Sequence, residues 1–187
     1  MAAFDQVRLQ TERLLLRPLC EADACALFSI FSDPRVMRYW STPAWESLAE
    51  AREKIAADAK AMAAAQYLEL GIERLEDGQL IGRCALFNLV AQCKRAELGF
   101  ASTYPSWGQG YVQEALRALL AFAFSELGLN RIEADIDPRN SRSARLLGRL
   151  GFKQEGHLRE RWIVGEEVSD SALFGLLRSD FVEAAKT

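Results

Sequence analysis

Between a run that reads as a strand and one that reads as a helix, Trp107-Gly108-Gln109-Gly110-Tyr111 sets two glycines one residue apart. Glycine lets the backbone turn several N–H groups toward one point, and the start of a helix adds the positive end of its dipole. That combination suits a phosphate or pyrophosphate. A second polar group, Asn140-Ser141-Arg142-Ser143, follows about thirty residues later and precedes Leu150-Gly151-Phe152. Asn140 reads as the N-cap of a short helix with Ser143 in its first turn. That placement by itself gives the hydroxyl a capping role.

Two better-known phosphate turns do not fit. A P-loop needs Gly-Lys-Ser/Thr at the helix start, which is missing. A dinucleotide fingerprint needs a third glycine or alanine at position 113, where Gln113 stands. Taken alone, the glycines also fit a tight strand-to-helix turn that holds nothing.

The elements that must position these groups follow from hydrophobic periodicity. Arg13–Arg17 reads as a strand ended by Pro18, and Glu21–Phe31 as a helix stopping near Asp33-Pro34. Met37–Pro43 is irregular and aromatic, and Trp45–Ala65 is a second helix rich in alanine, lysine and glutamate. Tyr67–Glu73 and Leu80–Leu89 form strands joined through Glu76-Asp77-Gly78, and Arg95–Ser102 leads into the glycine turn. A helix spans Tyr111–Leu127 with Gly128 as its C′ residue. Then come a strand over Arg131–Ile136, a helix over Ser141–Leu150, and strands over Phe152–Val164 and Val168–Leu177. The expected fold class is α/β, a mixed central β-sheet flanked by helices. A single domain is expected over residues 1–187, with its core at about 9–180.

Ordered along the chain, these segments resemble the GCN5-related N-acetyltransferase (GNAT) superfamily, and within it the RimJ/RimL-like ribosomal-protein N-acetyltransferase branch. The resemblance rests on Thr11–Leu19, Glu97-Leu98-Gly99-Phe100, the glycine turn with Glu114-Ala115, Asn140–Ser143, Gly151-Phe152, Glu155-Gly156, and Gly165 with Asp170. Three positions depart from it. Pro105 stands where the wider superfamily has glutamine or arginine, Val112 replaces a smaller residue, and Phe174 replaces a tyrosine.

The resemblance implies an acetyl-CoA-dependent transfer of an acetyl group to a primary amine, by direct attack on the thioester. A protein or peptide N-terminus is the first expectation and a small amine or amino acid the next. A non-catalytic acyl-CoA-binding module is the competing class. It implies that Trp107, Gly108, Gln109, Gly110, Tyr111 and Val112 cradle the pyrophosphate of acetyl-CoA, with Asn140 and Ser143 nearby. It also implies that the strand at Phe100, Ala101 and Ser102 bulges away from its neighbour, pairs with the pantetheine arm and polarises the thioester carbonyl. Ser143 matches the proton donor to the departing thiolate. Glu97 is the first candidate for relaying the amine proton through water and Glu160 the second, and each also fits a solvated strand carboxylate. Arg142, Arg145 and Arg149 are candidates for CoA phosphates, with a solvated helix face the first reading for Arg149. Tyr39, Trp40 and Trp162 are candidates for the acceptor pocket, and each also fits a core-packing role, the commoner one for aromatics. His157 falls outside the family's catalytic positions and reads as a surface or packing residue.

Composition narrows the rest. The chain has 187 residues, 50% hydrophobic and 26% charged, with a formal net charge of −3, which leaves no overall electrostatic footprint for nucleic acid. Cys20, Cys25, Cys84 and Cys93 form no Cys-x-x-Cys pair and there is one histidine, so no metal site is expected and the cysteines read as reduced core residues. Residues 1–5 lack the pattern of a signal peptide and no run is long enough to span a membrane. A cytoplasmic protein, monomer or homodimer, is the expectation.

Overall fold

The computed structural model describes residues 3–184; positions 1 and 2 of the segment read as leaderless lie outside them. Its centre is an eight-stranded mixed sheet. The strands are β1 (Leu9–Gln10), β2 (Leu14–Arg17), β3 (Leu68–Arg74), β4 (Leu80–Val90), β5 (Arg95–Ser102), β6 (Arg131–Ile136), β7 (Lys153–Val164) and β8 (Glu167–Leu177). The helices are α1 (Ala24–Phe31), α2 (Pro34–Met37), α3 (Leu48–Ala63), α4 (Tyr111–Ser125), α5 (Ser141–Arg149) and α6 (Arg178–Ala184). Across the sheet the order is β1-β2-β3-β4-β5-β6-β8-β7, and only β5 and β6 run parallel.

Alternation along the strands gives the sheet two different faces. Leu70, Leu86, Leu98 and Ile132 are buried on one, where α4 supplies Leu116, Leu119, Leu120 and Phe124 at helical spacing. Full burial of each such side chain contributes about 1.5–3 kcal/mol. The register places Glu69, Arg83, Glu97 and Ala101 on the other face, and α1 to α3 cover part of it. Under that cover the Arg83 Nε lies 2.5 Å from the Glu69 Oε1, both side chains buried. Losing one partner of such a pair leaves a buried charge, at a cost of about 3–5 kcal/mol.

Several expectations need correcting. Asp33-Pro34 ends α1 but also begins α2, because the Asp33 side chain accepts the Arg35 N–H while proline occupies a first-turn position. The second predicted helix starts at Leu48, where Ser47 and Glu50 form a capping box that fixes the entry. Strand β1 and helix α6 were not expected; β1 has only two residues, too few for a periodic signal. Of the four cysteines only Cys84 is a core residue, and burial pushes its thiol up. Cys20, Cys25 and Cys93 are exposed, since they lie at a 3₁₀ cap, on the outer side of α1 and in a surface turn.

Candidate functional site

The strands β5 and β6 pair only at Arg95↔Arg131, Ala96↔Ile132 and Glu97↔Glu133. Beyond Glu97 they part. β5 continues to Ser102 paired only with β4, and β6 continues to Ile136 paired only with β8. The parting opens a wedge in the middle of the sheet. Each strand then feeds a helix, so the N-termini of α4 and α5 follow its two lips. An opening at the carboxyl ends of strands is a common place for a ligand in α/β proteins.

On the first lip, Gly108 and Gly110 have φ of 76° and 81°, a region that penalises any Cβ. Gly110 is the N-cap of α4 and makes no side-chain cap. Among the described residues, none of the N–H groups of 108–110 donates to another backbone acceptor, and the first turn of a helix leaves its own N–H groups unpaired. A built cradle of open donors results. Its chemistry suits a phosphate or pyrophosphate group.

The same turn holds an acid, Glu114, that would repel an anion if left alone. Burial pushes the Glu114 carboxyl up, but hydrogen bonds from the Thr11 hydroxyl, the Arg13 N–H and the Arg13 guanidinium outweigh it and hold it below 4.5. Arg13 also donates to the Gln109 carbonyl at 3.2 Å and lies 4.6 Å over the Tyr111 ring. The turn between β1 and β2 therefore braces the glycine turn from behind. Glu114 and Arg13 appear in the sequence only within longer matching stretches, and nothing in their spacing pairs them.

The second lip is built differently. The Asn140 side chain accepts the Ser143 N–H at 3.1 Å, which makes Asn140 the N-cap of α5. Ser143 is half-buried. Two contacts tie the lips together: the Arg142 guanidinium lies 4.8 Å over the Trp107 ring, and Arg149 donates to the Gln113 side chain at 3.0 Å. Trp107 also donates to the Ser102 carbonyl at 3.1 Å and packs against the Tyr104 ring, centroids 5.0 Å apart and planes tilted by 59°. Arg142 and Arg149, read from sequence as phosphate candidates, thus have protein partners, while Arg145 is exposed. Phe100 lies half-buried three residues beyond the last β5–β6 pair, and Ala101 and Ser102 after it are buried. Val112 is half-buried in the first turn of α4.

The carboxylate candidates separate. Glu97 stands at the point where the strands part, half-buried, and accepts from the Asn88 side chain at 3.0 Å. Glu160 is exposed on β7 with φ of 52°, at an irregularity where its N–H donates to Asp170 at 2.8 Å. His157 lies 2.7 Å from the other Asp170 oxygen. The bond from the Glu160 N–H and then that from His157 hold the Asp170 carboxyl below its ordinary range.

A cavity of about 240 Å³ lies between the segment from α2 to Ala44 and the β7–β8 hairpin. Tyr39 and Trp40 line it, with Asp137, Arg139 and Ser169 opposite. Trp162 does not line it; its indole donates to the Ser171 hydroxyl at 3.0 Å, so its polar tip is used inside the hairpin. Arg38, Asp137 and Arg139 were missed in the sequence, since they come together only when α2 folds over the ends of β6 and β8. Among the described residues no group of three or more metal-binding side chains is assembled, and no helix is long and apolar enough to cross a membrane.

Comparison with known proteins agrees with this arrangement. A family model described as an acetyltransferase (GNAT) domain matches residues 13–153. The chain is 34% identical to an uncharacterized N-acetyltransferase, p20, of Bacillus licheniformis, over 92% of this chain and 97% of that one. It is 28% identical to the [ribosomal protein uS5]-alanine N-acetyltransferase of Escherichia coli, over 94% and 93%. Mycobacterium smegmatis RimJ, solved in complex with CoA-disulfide, shares the fold with a TM-score of 0.85 at 20% identity, over 99% and 98%. With a wedge between parallel strands, an open glycine turn on one lip and a family match across most of its length, the chain belongs to the GNAT family and is an acetyl-CoA-dependent N-acetyltransferase.

Proposed function

We propose that the acceptor is a primary amine, in the first instance the α-amino group of a protein or peptide N-terminus. The observation that carries this reading is the pairing of an open anion cradle with a separate cavity between the segment from α2 to Ala44 and the β7–β8 hairpin. The relative from Escherichia coli, which acts on a ribosomal protein's alanine, supports the choice of a protein acceptor. Small amines or amino acids are the second reading, favoured by the modest size of the cavity, about 240 Å³.

Acetyl-CoA supplies the acetyl thioester, and the chain supplies position and protons. The N–H groups from Gly108 to Val112 hold the pyrophosphate, and the positive end of α4 adds to them. The β5 backbone from Phe100 to Ser102 pairs with the pantetheine arm, and one of its N–H groups polarises the thioester carbonyl. The Ser143 hydroxyl donates to the sulfur as it departs. An α-amino group has an ordinary pKa of about 7.7–8.0, so a fraction is neutral near pH 7 and no strong base is needed. Glu97, at the parting of the strands, takes the amine proton through water. Glu160 is the alternative, and its exposure on the hairpin makes it the weaker of the two.

The test is a panel of N-terminal peptides, free amino acids and polyamines, with thiol release and product mass both read. Acetylation at the α-amino group of peptides, faster than of any small amine, is the expected result. Exclusive turnover of small amines would replace the first reading with the second.

A further inference from the structure

The charges that line the acceptor cavity are unevenly committed. Asp137 is buried and accepts from Arg139 through both oxygens, at 3.0 Å from Nε and 2.5 Å from Nη2. Glu167, on the hairpin wall, lies 2.7 Å from the same guanidinium. Both carboxylates of the lining are therefore spent on one arginine. Arg38 also lines the cavity, is exposed, and has no carboxylate partner among the described residues. Its guanidinium lies 5.2 Å from the Tyr39 ring centre, and that of Arg139 lies 5.7 Å from the same ring. The ring and its neighbours orient Arg38 without neutralising it.

An acceptor that brings a second ammonium finds no free carboxylate in this lining, whereas one that brings a carboxylate finds an unspent guanidinium fork. We propose that Arg38 is a specificity residue that binds a carboxylate carried by the acceptor close to its reacting amine. The inference rests on the N-acetyltransferase reading above and narrows its acceptor class. That carboxylate belongs either to the α-carboxyl of a free amino acid or to an acidic side chain near a peptide N-terminus. Polyamines are disfavoured.

The experiment compares matched acceptors. Free amino acids are set against their carboxamides, and peptides with aspartate at the second position against the same peptides with asparagine; spermidine is the dication control. For the wild type, kcat/KM favours the carboxylate member of at least one pair by about tenfold, the scale of a partly exposed charge-assisted hydrogen bond. The pair that shows the preference identifies the source. In Arg38→Gln the ratio falls to about one, and Arg38→Lys keeps part of it, with circular dichroism confirming that both variants fold. Arg38→Glu shifts the preference toward spermidine. Equal rates for both members of every pair, an undiminished ratio in Arg38→Gln, or spermidine as the best wild-type acceptor would each overturn the proposal. Failure of the protein-acceptor reading looks different: free amino acids alone react, with the Arg38-dependent ratio intact. No product from any amine would remove both.

Discussion

The two helices that leave the central wedge begin in opposite ways. At α4 the N-cap is Gly110, left-handed and without a side chain, so the first-turn N–H groups stay open. At α5 the N-cap is Asn140, whose amide oxygen takes the Ser143 N–H. The first end is left unsatisfied by the protein and braced from behind by Arg13 and Glu114. The second satisfies its own backbone and presents a hydroxyl. In the function proposed above, one lip holds the anion and the other offers a side chain to what that anion anchors.

That contrast is broken most severely by Gly110→Glu. It adds a Cβ at φ of 81° and a negative charge where the pyrophosphate approaches. Like charges set together cost several kcal/mol, so CoA affinity should fall at least about 100-fold by calorimetry while circular dichroism shows the fold retained. A folded variant that binds CoA normally would remove the cradle from the first lip.

Ser143→Ala probes the second lip. A hydrogen bond that strengthens as the thiolate forms acts on kcat rather than on binding. Turnover should drop at least roughly tenfold with acetyl-CoA affinity unchanged. If kcat is unaltered while chemistry is rate-limiting, the hydroxyl is only a first-turn residue.

Asn140→Ala sharpens the same end by removing the cap and leaving the hydroxyl. Loss of an N-cap costs about 1 kcal/mol, which for a chain of this size lowers Tm by about 2–4 °C. Its kcat per folded molecule should fall less than that of Ser143→Ala. A larger fall would mean that the amide does more than cap.

The smallest effect concerns the brace. The Glu114 carboxyl is held below its ordinary 4.5, because the bonds from Thr11 and Arg13 outweigh the upward push of burial. A depressed carboxyl contributes stability that is present above its ordinary value and is lost as pH falls through the folded one. Wild type should therefore melt higher than Glu114→Gln at pH 7, and the difference should shrink as the pH falls below 4.5 and through the depressed folded value. A difference that persists in acid would show that the carboxylate charge is not what holds the turn.

Much of this was legible before any coordinates. Arg95–Ser102 and Arg131–Ile136 have the bounds expected of them, and α4 begins at Tyr111 as read. Strong periodicity, glycine punctuation and a capping asparagine are local signals, and local signals survive without tertiary context. The Trp162 indole turns to the Ser171 hydroxyl, and an aromatic on a hairpin carries no mark in the sequence of which way its ring will turn. The exposed cysteines were misread for a related reason: composition assigns a residue type to the core, and only position on an element decides the face.

The residues alone determined the glycine turn, the capped helix after it and the family to which both belong, since each depends on chemistry within a few positions of the chain. The tertiary structure decided the rest. It parted β5 from β6 after Glu97, brought Arg13 across to Glu114, laid Arg142 on Trp107 and spent Asp137 and Glu167 on Arg139, while Arg38 has no carboxylate partner among the described residues. Those pairings join residues far apart in the chain. Their register is set by which faces of the sheet must be buried, and no local spacing encodes it.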